Sequence, residues 1–178
     1  MKTSIYIDGS NFYFSVKRTF GCKIDIEKFC RKLSEKNQLI NINYYTAPID
    51  KKSNPDGYSE QQKFFDALRK IKNLNIIFGR LERINVDGKV YFIEKATDIN
   101  LALDLVLDAS DSKYDKAFLV SNDGDFSGAV YSVIRRFDKE VVYVAIGNRK
   151  PKISYHLKKV ASSTFKITKE FIDEVKLE

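Results

Sequence analysis

The chain has 178 residues with a formal net charge of +7 and a pI near 9.2, a length that fits one domain with a substantial core and a charge that favours a polyanionic partner. Its 43% hydrophobic and 13% aromatic content excludes a disordered chain, and no apolar run approaches the ~18 residues that a membrane span needs. Met1-Lys2-Thr3 leads directly into a predicted strand, so the expectation is a cytoplasmic protein.

Thr3 to Asp8 is a β-rich run that ends in Asp-Gly, and Asn11 to Phe20 follows with apolar residues at helical spacing. Asp25 is placed to cap a second helix that runs to about Asn37, and Leu39 to Ala47 alternates as the next strand. Pro48 to Gly57 breaks regularity, and Tyr58 to Lys72 reads as a helix. Asn75 to Ile84 and Lys89 to Glu94 flank Asn85-Val86-Asp87-Gly88, a hairpin signal. Asp98 to Ala109 is the most apolar helix and is expected to be largely buried, with Asn100, Asp104 and Asp108 as its narrow solvated stripe.

Lys116 to Ser121 is a predicted strand, Asp125 to Phe137 a helix, and Glu140 to Ile146 a continuous apolar strand of the kind found inside parallel sheets. Ile153 to Ala161 is read as a helix, Thr164 to Ile167 as an edge strand and Thr168 to Val175 as a terminal helix. The alternation indicates an α/β fold: a doubly wound, mainly parallel sheet with helices on both faces, spanning residues 1–178 as one domain.

Asp8, Asp98, Asp123 and Asp125 all sit where a strand hands over to a helix, and in an open parallel sheet such ends meet at the point where strand order reverses. Two carboxylates about 4 Å apart repel by roughly 4 kcal/mol at an effective dielectric of about 20, so a hard divalent cation would relieve the cluster. The readings compete with helix capping at Asp8 and Asp98, where Ser10 and Thr97 are alternative caps, and with turn chemistry at Asp123. Asn11 could orient Asp8 through its amide, and Asp104 is a secondary candidate. Asp123 to Gly128 imitates the start of an EF-hand loop, but Ile134 occupies the twelfth position, where a bidentate Glu is needed.

Other machinery is missing from the sequence. There is no G-x-G-x-x-G, P-loop or G-x-S-x-G. His156 is the only histidine, which excludes multi-histidine zinc chemistry. Cys22 and Cys30 are too few for a disulfide framework or a zinc knuckle.

Taken together, Tyr6-Ile7-Asp8-Gly9-Ser10-Asn11, the Glu94 to Val106 block and Val120-Ser121-Asn122-Asp123-Gly124-Asp125-Phe126 resemble, in order and spacing, the NYN domain family of the PIN-like nuclease fold. The resemblance covers about residues 1 to 170. It implies a doubly wound sheet, an acidic site for Mg²⁺ or Mn²⁺ and RNA cleavage, with Asp8, Asp98, Asp123 and Asp125 as metal-site carboxylates and Asn11 and Ser121 as supporting groups. Ala96 stands where the family commonly carries Gly, and Ser162-Ser163 where relatives often carry Asp.

The expected activity is metal-dependent endoribonuclease cleavage, with RNA as the partner and Lys95, Arg149, Lys150 and Lys152 as phosphate contacts. Tyr13, Phe12 and Phe126 are read as core aromatics rather than base-stacking groups. The alternative is a non-catalytic RNA-binding or scaffold module that retains the nuclease fold. A phosphotransferase with Asp8 as nucleophile is disfavoured, because Ser10 stands where such chemistry usually places a second Asp. The oligomeric state is left open, a homodimer included.

Overall fold

The computed structural model describes residues 1–147 and 153–177; the basic loop with Arg149, Lys150 and Lys152 lies outside the described residues. β1 (Lys2–Asp8) runs directly into α1 (Gly9–Phe20). α2 (Ile26–Leu33) is capped by Asp25 as expected, and β2 (Gln38–Thr46) follows. α3 (Pro55–Leu68) starts earlier than its apolar pattern, because Asn54 caps it and Pro55 fits the first turn.

The single strand expected over Asn75 to Ile84 is two strands, β3 (Leu74–Phe78) and β4 (Arg80–Val86). Gly79 separates them: its N–H bonds to the Thr46 carbonyl at 2.8 Å, closing the ladder with β2. A Cβ there would collide with the Thr97 hydroxyl and come within 2.6 Å of the Lys95 carbonyl. β4 pairs antiparallel with β5 (Lys89–Lys95) around Asp87 and Gly88, both at positive φ, as a two-residue hairpin turn requires.

α4 (Thr97–Ser110) follows, then β6 (Lys116–Val120), a 3-10 turn at Gly124–Phe126, α5 (Ser127–Phe137) and β7 (Glu140–Ala145). α6 (Tyr155–Val160), the parallel edge strand β8 (Ser163–Lys166) and α7 (Lys169–Val175) complete the order.

Six strands form one parallel sheet in the order β3-β2-β1-β6-β7-β8, and β4 and β5 stand apart as a two-stranded sheet. Alternation along the central strand divides the core. Ile5 and Ile7 of β1 join Phe12, Phe29, Phe65 and Phe171 from the helices on one face. Tyr6 joins Leu101, Leu105, Val130, Val133 and Leu157 on the other. The chain is thus α/β and doubly wound, with helices covering both faces as a buried parallel sheet demands.

α4 departs from its expected burial. Leu101, Leu105 and Ala109 are buried against the sheet, but Ile99, Leu103 and Leu107 are 65%, 53% and 55% exposed. The polar stripe is turned partly inward instead, where the Tyr45 hydroxyl donates to Asp104 at 2.9 Å and the Tyr6 hydroxyl to Asp108 at 2.7 Å. Buried tyrosine hydroxyls need partners, and these two carboxylates supply them. That demand fixes the rotation of the helix more firmly than its apolar count.

Candidate functional site

The strand order reverses between β1 and β6, which makes their carboxyl ends the natural site of a crevice. Asp8 is the last residue of β1, and Ser121 follows β6 directly. The Ser121 hydroxyl donates to Asp8 Oδ2 at 2.8 Å, and the Asn11 N–H donates to Oδ1 at 3.0 Å. Asp8 therefore caps α1 and faces the crevice at once. Gly9 makes this junction feasible, since a Cβ would lie 2.6 Å from the Tyr45 carbonyl.

The Asn11 side chain does not orient Asp8. Its Oδ1 accepts the Asn122 N–H at 3.0 Å and the Ser15 hydroxyl at 3.3 Å, tying α1 to the loop after β6. Ser10 is not the cap either, because its hydroxyl donates to Glu94 Oε2 at 2.7 Å. That bond brings the end of β5 over the start of α1.

The resulting cleft has a volume of about 360 Å³; Asp8, Glu94, Thr97 and Asp98 line it together with Phe14 and Arg18 of α1. Asp8 is 6% exposed. Burial pushes its carboxyl up to about 6, against the pull of the Asn11 N–H and the Ser121 hydroxyl, with the charges of Asp98 and Glu94 adding to the rise. Asp98 is exposed at the rim and is also raised, by partial desolvation first and then by Asp123, Glu94 and Asp125.

Glu94 and Asp98 thus act on Asp8, and Asp123, Glu94 and Asp125 on Asp98. Asp8, Glu94 and Asp98 line the cleft, Asp123 and Asp125 do not, and among the described residues none of the five forms a salt bridge. Asp123 accepts the Asp125 N–H at 2.9 Å and so stiffens the 3-10 turn, while the Asp125 side chain is exposed.

These donors suit a hard divalent cation by their chemistry: carboxylate oxygens, mutual repulsion and, among the described residues, no cation paired with them. The Thr97 hydroxyl, buried in the cleft wall, has no hydrogen-bond partner and adds an unused polar group. Among the described residues, no three His, Cys, Asp or Glu side chains are already gathered as a metal site.

The other expected residues lie elsewhere. Asp104 serves Tyr45 on the α4 face. Lys95 is exposed on β5 but does not line the cleft, its neighbours Glu94 and Ala96 doing so instead. Glu94, Asn122, Phe14 and Arg18 were not singled out from the sequence. Glu94 had one signal, its place four residues before Asp98 in the second acidic block. Asn122 had none: its amide donates to the Ile146 carbonyl at 2.6 Å and accepts the Tyr143 hydroxyl at 2.6 Å, partners visible only in the fold.

Similarity to known proteins agrees with this architecture. A protein of unknown function from Vibrio parahaemolyticus, whose crystal structure is known, superposes with a TM-score of 0.73 at 21% identity, over 99% of this chain and 96% of that one. The likeness is one of fold. A search of curated proteins finds no match. A sequence model of the NYN domain, however, matches residues 2–168. That span takes in the β1 junction, the hairpin and start of α4, and the turn after β6, so the chain belongs to the NYN domain family, whose members are generally nuclease-like, RNA-binding domains.

Proposed function

We propose that the protein is a metal-dependent endoribonuclease that hydrolyses RNA phosphodiester bonds in the cleft at the ends of β1 and β6. The observation that carries this reading is the buried Asp8 carboxylate, raised by burial first and then by Asp98 and Glu94, in a cleft whose three acids, Asp8, Glu94 and Asp98, have no salt-bridge partner among the described residues. Asp8, Asp98 and Asp123 are the carboxylates assigned to Mg²⁺ or Mn²⁺, with Asp125 assisting and Glu94 completing the acidic wall. When bound, such an ion supplies an activated water and neutralises charge on the scissile phosphate.

The protein's own groups do the positioning. Ser121 and the Asn11 N–H hold both oxygens of Asp8 in a fixed orientation. Ser10 holds Glu94 across the cleft. In the overall reaction water adds to phosphorus and the bond to the leaving ribose oxygen breaks, the water's proton going to that oxygen or to solvent. Lys95 and the basic loop remain candidates for flanking phosphate contacts.

Cleavage assays on single-stranded and structured RNA with Mg²⁺, Mn²⁺ or EDTA test the reading. Cleavage is expected with metal and absent in EDTA, and Asp123→Asn should abolish turnover while leaving most RNA affinity, which comes mainly from phosphate contacts. A wild-type protein that cuts no RNA with any divalent ion, or an Asp123→Asn variant as fast as wild type, would transfer the assignment to a non-catalytic RNA-binding module.

A further inference from the structure

We propose that Phe14 and Arg18 form a platform that receives an unpaired base of single-stranded RNA beside the acidic cleft, an inference that rests on the nuclease reading for its substrate and on α1 for its geometry. Aromatic residues near a helix start usually belong to the core, and Phe12 and Phe126 do, at 4% and 2% exposure. Phe14 does not. It is 50% exposed, lines the cleft, and carries the Arg18 guanidinium 5.6 Å from its ring centre.

Among the described residues, Arg18 is the only basic one lining the cleft, and it stands on α1 while Glu94 and Asp98 come from the hairpin and α4. A phosphodiester entering such a cleft meets repulsion from the carboxylates, so a guanidinium on the facing wall sets where the backbone can pass. The pattern repeats one step around the helix. Lys17 lies 5.5 Å from the Tyr13 ring, and Tyr13 meets Phe14 edge-on at 5.2 Å.

Residues four apart on a helix share a face, so both ring–cation pairs run along α1 away from its Asp8 cap. An exposed ring with a neighbouring cation is sequence-tolerant: it stacks on any base and pairs with the adjoining phosphate. It accepts only bases released from a duplex stack.

The test is anisotropy of fluorescein-labelled oligouridine and of a blunt RNA duplex of the same length, with the full chain in the Asp123→Asn background and Mn²⁺ present, so that the probe is not consumed. Phe14→Ala is expected to weaken oligouridine binding about tenfold while leaving duplex binding unchanged, and Phe14→Tyr to retain it. Arg18→Ala should reduce the slope of log affinity against log salt by about 1.

Wild-type affinity in both alanine variants, an equal loss for duplex, or no oligouridine binding by the Asp123→Asn protein itself would overturn the platform. Cleavage by the otherwise unaltered chain is scored separately. A Phe14 effect without any cleavage keeps the platform and removes the nuclease reading, whereas cleavage without a Phe14 effect does the opposite.

Discussion

Asp8 meets three demands with one carboxylate: it caps α1, accepts the Ser121 hydroxyl and faces Glu94 and Asp98 across the cleft. Burial holds its titration at about 6, above the ~3.9 of an unfolded chain. The fold therefore favours protonated Asp8. The associated stability is fully present below about pH 4 and lost as pH rises through about 6, on the order of 3 kcal/mol in all. Asp8→Asn keeps an oxygen for the Asn11 N–H and removes the charge, so in EDTA it should melt higher than wild type at pH 7 and fall less between pH 4 and pH 7. Parallel melting curves against pH would refute this assignment.

Ala96 presents a different residue-scale cost. It adopts φ 70°, the left-handed region that disfavours any side chain, in the turn that passes from Glu94 to Asp98. Ala96→Gly should raise the urea midpoint, by about 1 kcal/mol of stability; an unchanged or lower midpoint counts against strain there.

At this scale the sequence was most legible where a residue's role is local. The junction acids Asp8, Asp98 and Asp123 could be read from strand-to-helix placement, and Asp25 from its cap position. Glu94 and Asn122 could not, since their roles depend on Ser10, Tyr143 and Ile146, all distant in sequence.

Among the elements, α4 separates composition from placement. Its apolar residues outnumber the positions the sheet can cover, and the tyrosine hydroxyls of β1 and β2 turn Asp104 and Asp108 toward the sheet. Leu105 has no exposure and Leu103 is 53% exposed. Leu105→Ala should then cost about 2–5 kcal/mol in urea unfolding, and Leu103→Gln should stay within about 0.5 kcal/mol. Equal losses would restore the buried helix that periodicity alone suggests.

The β4–β5 hairpin raises a second issue of element placement. Its register follows from Asp87-Gly88 and was legible, but the break at Gly79 was not, because β-rich sequence continues through it. Gly79 wedges against Thr97 and Lys95 and so fixes the hairpin base relative to α4. Gly79→Ala should displace Glu94 and Asp98 from Asp8. A loss of about 10²-fold in metal-dependent cleavage with overall fold retained is expected, as for other displacements of about 1 Å at a reacting centre. Cleavage at the wild-type rate would show that the hairpin does not set the site.

For the molecule as a whole, a net charge of +7 goes with a cleft lined by carboxylates. The positive balance suits attraction of a polyanion from a distance, and the acidic cleft suits it only with a cation in place. The fold class was legible because alternating β and α segments with buried strands allow few arrangements other than a parallel sheet. Which face each helix covers was not, because that depends on crossings the chain order does not state.

The most direct measurement is an anomalous difference map from crystals grown with Mn²⁺. A peak bounded by Asp8, Asp98 and Asp123, absent in Asp8→Asn crystals, is the expected result. A structure with those carboxylates in place and no anomalous peak between them would contradict the metal-dependent site.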